Sequence, residues 1–274
     1  MGSESRNRYL LKNTLIFTLG NIGSRMISFF LIPLYTNVLT TSQYGTVDLI
    51  TTISTVAGPM LTLNIAESVM RFGLDKDADK EKNTQCGSIV LLIAMIIGLV
   101  LIPICRCITE VSDYAMYVYF YVISLSASQL FLCDLRGKEL LLKYSLGNIL
   151  QTLMIAILNI TFLLVFKMET GGYLLAYIIA NFIVAIYAII AGKGYKAFSF
   201  HNIDRCKLKE MIRYSVVLIP NTFMWWIMNS SDRVMVTYMI GAAANGIYAV
   251  SYKLPTLVST LTGIFNQAWS YSNV

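Results

Sequence analysis

Residues 213–246 read RYSVVLIPNTFMWWIMNSSDRVMVTYMIGAAANG, and this stretch decides the class of fold. From Tyr214 to Ile240 it is long enough to cross a bilayer, yet Asp232 and Arg233 lie inside it. At ~1.5 Å of rise per residue, Asp232 stands ~27 Å of helix beyond Tyr214, which is the far half or far edge of a hydrocarbon core ~30 Å thick. A charge at the bilayer centre costs at least ~2.5–3.5 kcal/mol, so such residues face a bundle interior or a wet cavity. Two readings stand at this point. Asp232 and Arg233 neutralise part of each other near an interface, or they form the polar wall of a transport cavity.

The rest of the chain places that stretch among similar ones. Hydrophobic residues make up 56% of the sequence and charged residues 13%, against about 25% charged in soluble domains. The mean hydropathy is +0.64. The charges are segregated into short loops between long apolar runs. In lipid only helices and closed barrels satisfy every backbone group, and runs of this length predict an all-α integral membrane protein. Eight spans are expected, at roughly Leu15–Leu39, Thr46–Phe72, Gly87–Cys107, Tyr114–Leu135, Ser145–Phe166, Tyr173–Gly192, Tyr214–Ile240 and Gly246–Tyr271. The first is too long for a cleavable signal peptide, and Arg25 interrupts it.

Lysine and arginine set the orientation. Basic residues fill the N-terminal lead-in and the segments after the second, fourth and sixth spans, whereas the opposite loops hold only Arg106 and Lys167. This predicts a cytoplasmic N-terminus in the cell (inner) membrane. The net charge of +6 therefore reflects topology and contact with anionic membrane lipids, not nucleic-acid binding. The basic segment Lys193–Arg213 is expected to form an interfacial helix.

No metal site or cofactor is expected. The five cysteines, Cys86, Cys105, Cys107, Cys133 and Cys206, suggest no disulfide framework, and Cys105 and Cys107 form a lone C-x-C. His201 is a single loop histidine. The segment DKDADKEK places Asp75, Asp77 and Asp79 at alternate positions. A calcium loop would need Gly at Lys80 and Glu at Cys86, and the interleaved lysines point to a solvated loop.

The polar residues within spans are the candidate site. Arg25 lies near the midplane of the first span and should face a cavity or a carboxylate. Asp48 marks the outer end of the second span, and Gly58-Pro59 a break near its middle. Glu67 and Arg71 stand i and i+4 toward its cytoplasmic end. They either form a local ion pair or close a central cavity on that side. Asn148, Gln151 and Asn159 of the fifth span either bond neighbouring helices or line a cavity.

A shift of 201 residues lays Lys12 on Arg213, Thr36 on Thr237 and Gly45 on Gly246. Basic lead-in, span, short turn ending in Gly and next span then coincide. Six spans separate the copies, so both have the same orientation, as in a parallel repeat with its cavity between two lobes. The expected division is a complete six-helix lobe at 1–200 and, at 201–274, the first two helices of an incomplete second lobe.

The segment KNTLIFTLGNIGSRMISFFLIPLYTNVLTTSQYGTVDLI, the pair Glu67 and Arg71, Arg136-Gly137, and RYSVVLIPN leading to SDRVMV together resemble the polysaccharide-transport flippase family, which is related to multidrug-and-toxin exporters. The resemblance runs along the whole chain. It implies two six-helix lobes around an alternately open cavity and translocation of an isoprenoid diphosphate-linked oligosaccharide by alternating access. It further implies Arg25, Arg233 and Lys253 as substrate-cavity residues, with Asp48, Glu67, Arg71 and Asp232 as gate or coupling residues. Other polysaccharide-assembly proteins are implied partners. Because the chain stops near its eighth span, the remaining helices are expected in further sequence or a partner chain. No catalytic residue is expected. The competing expectations are a small-molecule exporter of the same superfamily and a membrane glycosyltransferase or polymerase. The latter would need larger catalytic loops.

Overall fold

The computed structural model describes residues 27, 30–75, 78–105, 112–198, 204–253, 255, 256 and 262. Among these residues there are helices and no strand. The helices are α1 (Ile32–Val38), α2 (Thr41–Leu61), α3 (Ile65–Gly73), α4 (Lys80–Cys105), α5 (Ala115–Gly137), α6 (Leu141–Ile160), α7 (Glu169–Ala191) and α8 (Arg205–Met239). A final helical stretch, 242–253, is denoted α9. One π-helical turn, Thr161–Val165, extends α6.

Four helical segments are long and apolar enough to cross a membrane, and α2 with α3 makes a fifth when taken as one bent span. The first expected span lies largely outside the described residues, as does the end of the eighth. The seventh corresponds to α8, which is long enough but less apolar, because Asn221, Thr222, Asn229, Ser230, Ser231, Asp232 and Arg233 interrupt it.

The second expected span is bent by 60° between α2 and α3. The break falls at Thr62–Asn64, a few residues beyond the expected Gly58-Pro59, and Pro59 remains inside α2. Leu63 and Asn64 take φ of 51° and 54°, a left-handed conformation that interrupts the helix. The amide of Asn64 holds the bend to α8 through a 3.2 Å bond to Thr222 Oγ1.

Two expectations at helix ends are corrected. The turn expected at residues 40–45 is reduced to Leu39 and Thr40, since Thr41 already begins α2. Thr40 and Gln43 form a reciprocal capping box that starts the helix there. The expected separate interfacial helix at Lys193–Arg213 is also absent from the described residues. A short 3₁₀ helix, Gly194–Phe198, ends α7, and Arg205 to Arg213 are the first turns of α8. Asp204 caps them through Lys207 N. With 35 residues, α8 is about 50 Å long, so its basic first turns extend beyond a single bilayer crossing.

Two apolar clusters hold the bundle. One gathers Tyr35, Tyr44, Leu49, Ile50, Val122, Leu174 and Ala249 around the Leu39–Thr40 turn. The other gathers Ile65, Val69, Leu130, Phe131, Leu135, Val184 and Met211 toward the end carrying Lys138, Lys193 and Arg205. These two ends are called the turn end and the basic end.

Candidate functional site

At the turn end, α9 crosses α2 at close range. Asn245 Nδ2 donates to Gly45 O at 3.0 Å and to Asp48 Oδ2 at 3.4 Å. The other carboxylate oxygen of Asp48 receives Arg233 at 2.9 Å, from α8. Arg233 also lies over the Tyr252 ring, 5.1 Å from its centroid. Asp232 accepts a hydrogen bond from the Tyr248 hydroxyl and one at 3.0 Å from the backbone N–H of Arg233. The two neighbours therefore do not neutralise each other side chain to side chain. The guanidinium reaches across to α2, because consecutive helical residues point in directions about 100° apart.

A small cavity of about 140 Å³ sits behind this pair, lined by Asp48, Arg233, Lys253, Tyr44, Tyr121, Tyr173 and Tyr177. Tyr173 stacks on Tyr177 with centroids 4.8 Å apart and donates to its hydroxyl at 3.0 Å. Tyr35 packs edge-on against Tyr173 at 4.9 Å. This tyrosine box comes from four helices. Its residues lie far apart in sequence, and each alone reads as a core or interfacial aromatic.

A much larger cavity, about 770 Å³, lies between the bend and the basic end. Its walls are α2, α3, α5, α6 and α8. They contribute Thr55, Asn64, Glu67, Ser128, Gln129, Arg136, Asn148, Gln151, Asn221 and Thr222. Gln151 is oriented by a 2.6 Å bond to Asn181, whose amide in turn donates to Ser124 at 3.5 Å. Arg136 stands 5.4 Å from the Tyr144 ring centroid. Among the described residues, the side chains of Glu67, Gln129, Asn148 and Asn221 form no intramolecular hydrogen bond. They offer donors and acceptors to the cavity itself.

The expected site residues separate accordingly. Asp48, Arg233 and Lys253 meet at the turn-end cavity, with Asp232 alongside. Glu67 lines the large cavity, and Asn148 and Gln151 join it there. Arg71 does not pair with Glu67. Glu67 faces the large cavity, while Arg71, one turn further along α3, is exposed and binds Asp75 at 2.6 Å. Asn159 is buried and donates to Ile155 O at 2.8 Å, so it lines neither cavity. Arg25, Cys107 and His201 lie outside the described residues. Asp75 and Asp79 are occupied locally by Arg71 and Lys82, as a solvated loop requires. Sequence reasoning passed over Gln129 and Asn221. The available signal was an uncharged polar side chain inside an apolar run, which marks either helix contact or cavity wall.

An all-helical membrane protein with a polar chamber inside its helix bundle is the class that these features define. The family model described as polysaccharide biosynthesis protein matches residues 10–270, and the chain belongs to that family. Comparison with curated protein sequences returns no match. A solved structure described as protein A has a similar fold, with a TM-score of 0.59 and 14% identity over 95% of this chain. The chain spans 63% of the length of that structure.

Proposed function

We propose that the chain belongs to a carrier, not an enzyme, that moves a lipid-linked oligosaccharide across the cytoplasmic membrane by alternating access. The observation that carries this reading is the large cavity with its unengaged Gln129, Asn148 and Asn221 amides between Glu67 and Arg136. Sugar hydroxyls need neutral donors and acceptors at close spacing, and water lost on binding must be replaced by such groups. The volume lies within the ~300–1,000 Å³ of small-molecule sites. Arg136 offers a planar cation to a phosphate at one side of the chamber.

The turn end supplies the closure. Asp48 and Arg233 join α2 to α8, and Asn245 joins α9 to α2. With the N-terminus cytoplasmic, this closure faces outward and the chamber loads from the cytoplasmic leaflet. Two lobes, 1–200 and 201–274, then rock about the crossing of α2 and α9. Helix ends 201 residues apart support the repeat: Val38 and Met239 both end helices, and Thr41 and residue 242 both begin them.

The test uses Gln129→Cys and Asn221→Cys as thiol reporters in the reconstituted chain. A polyprenyl diphosphate-linked oligosaccharide is expected to slow alkylation by a hydrophilic maleimide at both positions, while free polyprenol leaves it unchanged. Unaltered alkylation at saturating glycolipid would overturn the reading.

A further inference from the structure

The large chamber is biased in the hydrogen-bonding groups that its walls present. A serine or threonine hydroxyl carries one donor and two acceptor sites. Three hydroxyls of the lining spend their donor on a carbonyl of their own helix. Thr55 donates to Thr52 O at 2.7 Å, Ser128 to Leu125 O at 2.8 Å and Thr222 to Leu218 O at 3.2 Å. What remains of them for a ligand is acceptor capacity alone. Glu67 adds a carboxylate that forms no ion pair among the described residues.

Glu67 and Arg136 are the acidic and basic members of the described lining, and no ion pair joins them. Arg136 stands in the last turn of α5, where its guanidinium lies over the Tyr144 ring. A guanidinium is donor-only, so a phosphate beside the lipid chain takes Arg136. The rest of the ligand meets Glu67, the acceptor hydroxyls and the amides. Sugar hydroxyls and ammonium groups bring donors to such walls. A carboxylate on a sugar brings acceptors to acceptors, and it sets a like charge against Glu67 inside a helix bundle, where screening is weaker than in water.

We propose that the chamber selects an oligosaccharide free of acidic sugars, and that Glu67 is the residue that enforces the choice. The inference rests on the carrier reading and names the class of its substrate. Glu67 also suits the positive end of α3, in whose first turn it stands. That structural role is indifferent to the sugar, so a ratio between two ligands separates it from selection.

The experiment uses the full chain in nanodiscs, with the native cysteines replaced and Asn221→Cys as thiol reporter. Two polyprenyl diphosphate-linked oligosaccharides of equal length are compared, one of neutral sugars and one carrying a uronic acid. The neutral glycolipid is expected to protect the thiol from a hydrophilic maleimide at about tenfold lower concentration, equivalent to ~1.4 kcal/mol. Glu67→Gln should bring this ratio close to one by strengthening protection by the acidic glycolipid. Glu67→Asp, which keeps the charge, should keep the ratio. So should Glu210→Gln, whose carboxylate is held by Lys207 at 3.2 Å away from the chamber lining. Equal protection by the two glycolipids with Glu67 in place overturns the selection and keeps the carrier reading, and this measurement needs no substitution at Glu67. A ratio that survives Glu67→Gln likewise overturns the role of Glu67. Protection by neither glycolipid removes the carrier reading and the selection with it.

Discussion

Gly45 and Gly246 meet by reciprocal backbone contacts. A β-carbon on Gly45 would lie 1.8 Å from the carbonyl oxygen of Ala242, and one on Gly246 would lie 2.0 Å from that of Thr41. Both members of each contact are displaced by 201 residues in the other. Such exchange is what a two-fold axis between like elements produces. Carbonyl oxygens cannot swing aside as side-chain tips do, so even a methyl group must force the helices apart. Gly45→Ala is expected to cost at least the ~1–3 kcal/mol of overpacking. Gly246→Ala should cost a similar amount, and the double variant less than their sum, because one separation relieves both. Thermal melting in detergent measures all three. A melting temperature unchanged in Gly45→Ala would refute the contact.

The ion pair of Asp48 and Arg233 sits against that crossing, with side chains only 8% and 20% exposed. Removing one partner of a buried pair leaves an uncompensated charge and costs ~3–5 kcal/mol, whereas replacing both is far milder. Asp48→Asn should therefore lower the melting temperature strongly, and Asp48→Asn with Arg233→Gln should recover most of the loss. If the double variant melts no higher than the single one, the two residues act independently.

Helix class and boundaries were legible because long apolar runs leave the backbone one solution in lipid. The expected third to sixth spans coincide with α4 to α7 to within a few residues, apart from the earlier start of α4 at Lys80. The sequence pattern could not show which way a charge points. Glu67 and Arg71 have good spacing for a pair, but Asp75 stands at the same spacing beyond Arg71 and takes it, while Glu67 faces the large cavity. Asp232 and Arg233 read as mutual neighbours, yet their partners, Tyr248 and Asp48, lie on other helices. Gln129 and Asn221 carried only the ambiguous signal of a polar side chain in an apolar run, and tertiary packing decides it by leaving their amides unengaged on the cavity wall. Arg25 was the most conspicuous charge in the sequence and falls outside the described residues.

Asn64 tests the bend. It takes φ 54° and ψ 29° as the residue preceding α3 and also donates to Thr222. Asn64→Gly keeps the left-handed backbone accessible and loses one bond of about 1 kcal/mol. Asn64→Val loses the bond and adds ~1–2 kcal/mol for left-handed geometry. Asn64→Val is thus expected to melt below Asn64→Gly, and equal melting would mean that the bend is not held by this conformation.

Orientation decides which leaflet the chamber opens to, and the clustering of lysine and arginine at the basic end predicts a cytoplasmic basic end. Ser42 is exposed at the turn end, in the first turn of α2, and Lys209 is exposed at the basic end, in the first turns of α8. In a background lacking the exposed Cys206 and the other cysteines, a membrane-impermeant maleimide added to intact cells should label Ser42→Cys. It should reach Lys209→Cys only after permeabilisation. This pattern would set the Asp48–Arg233 closure on the outer side and the chamber, with Arg136 and Glu67, toward the cytoplasm, the side from which the proposed substrate would load. The reverse pattern would invert the loading direction and remove the proposed export function, while leaving the cavities and their chemistry as described.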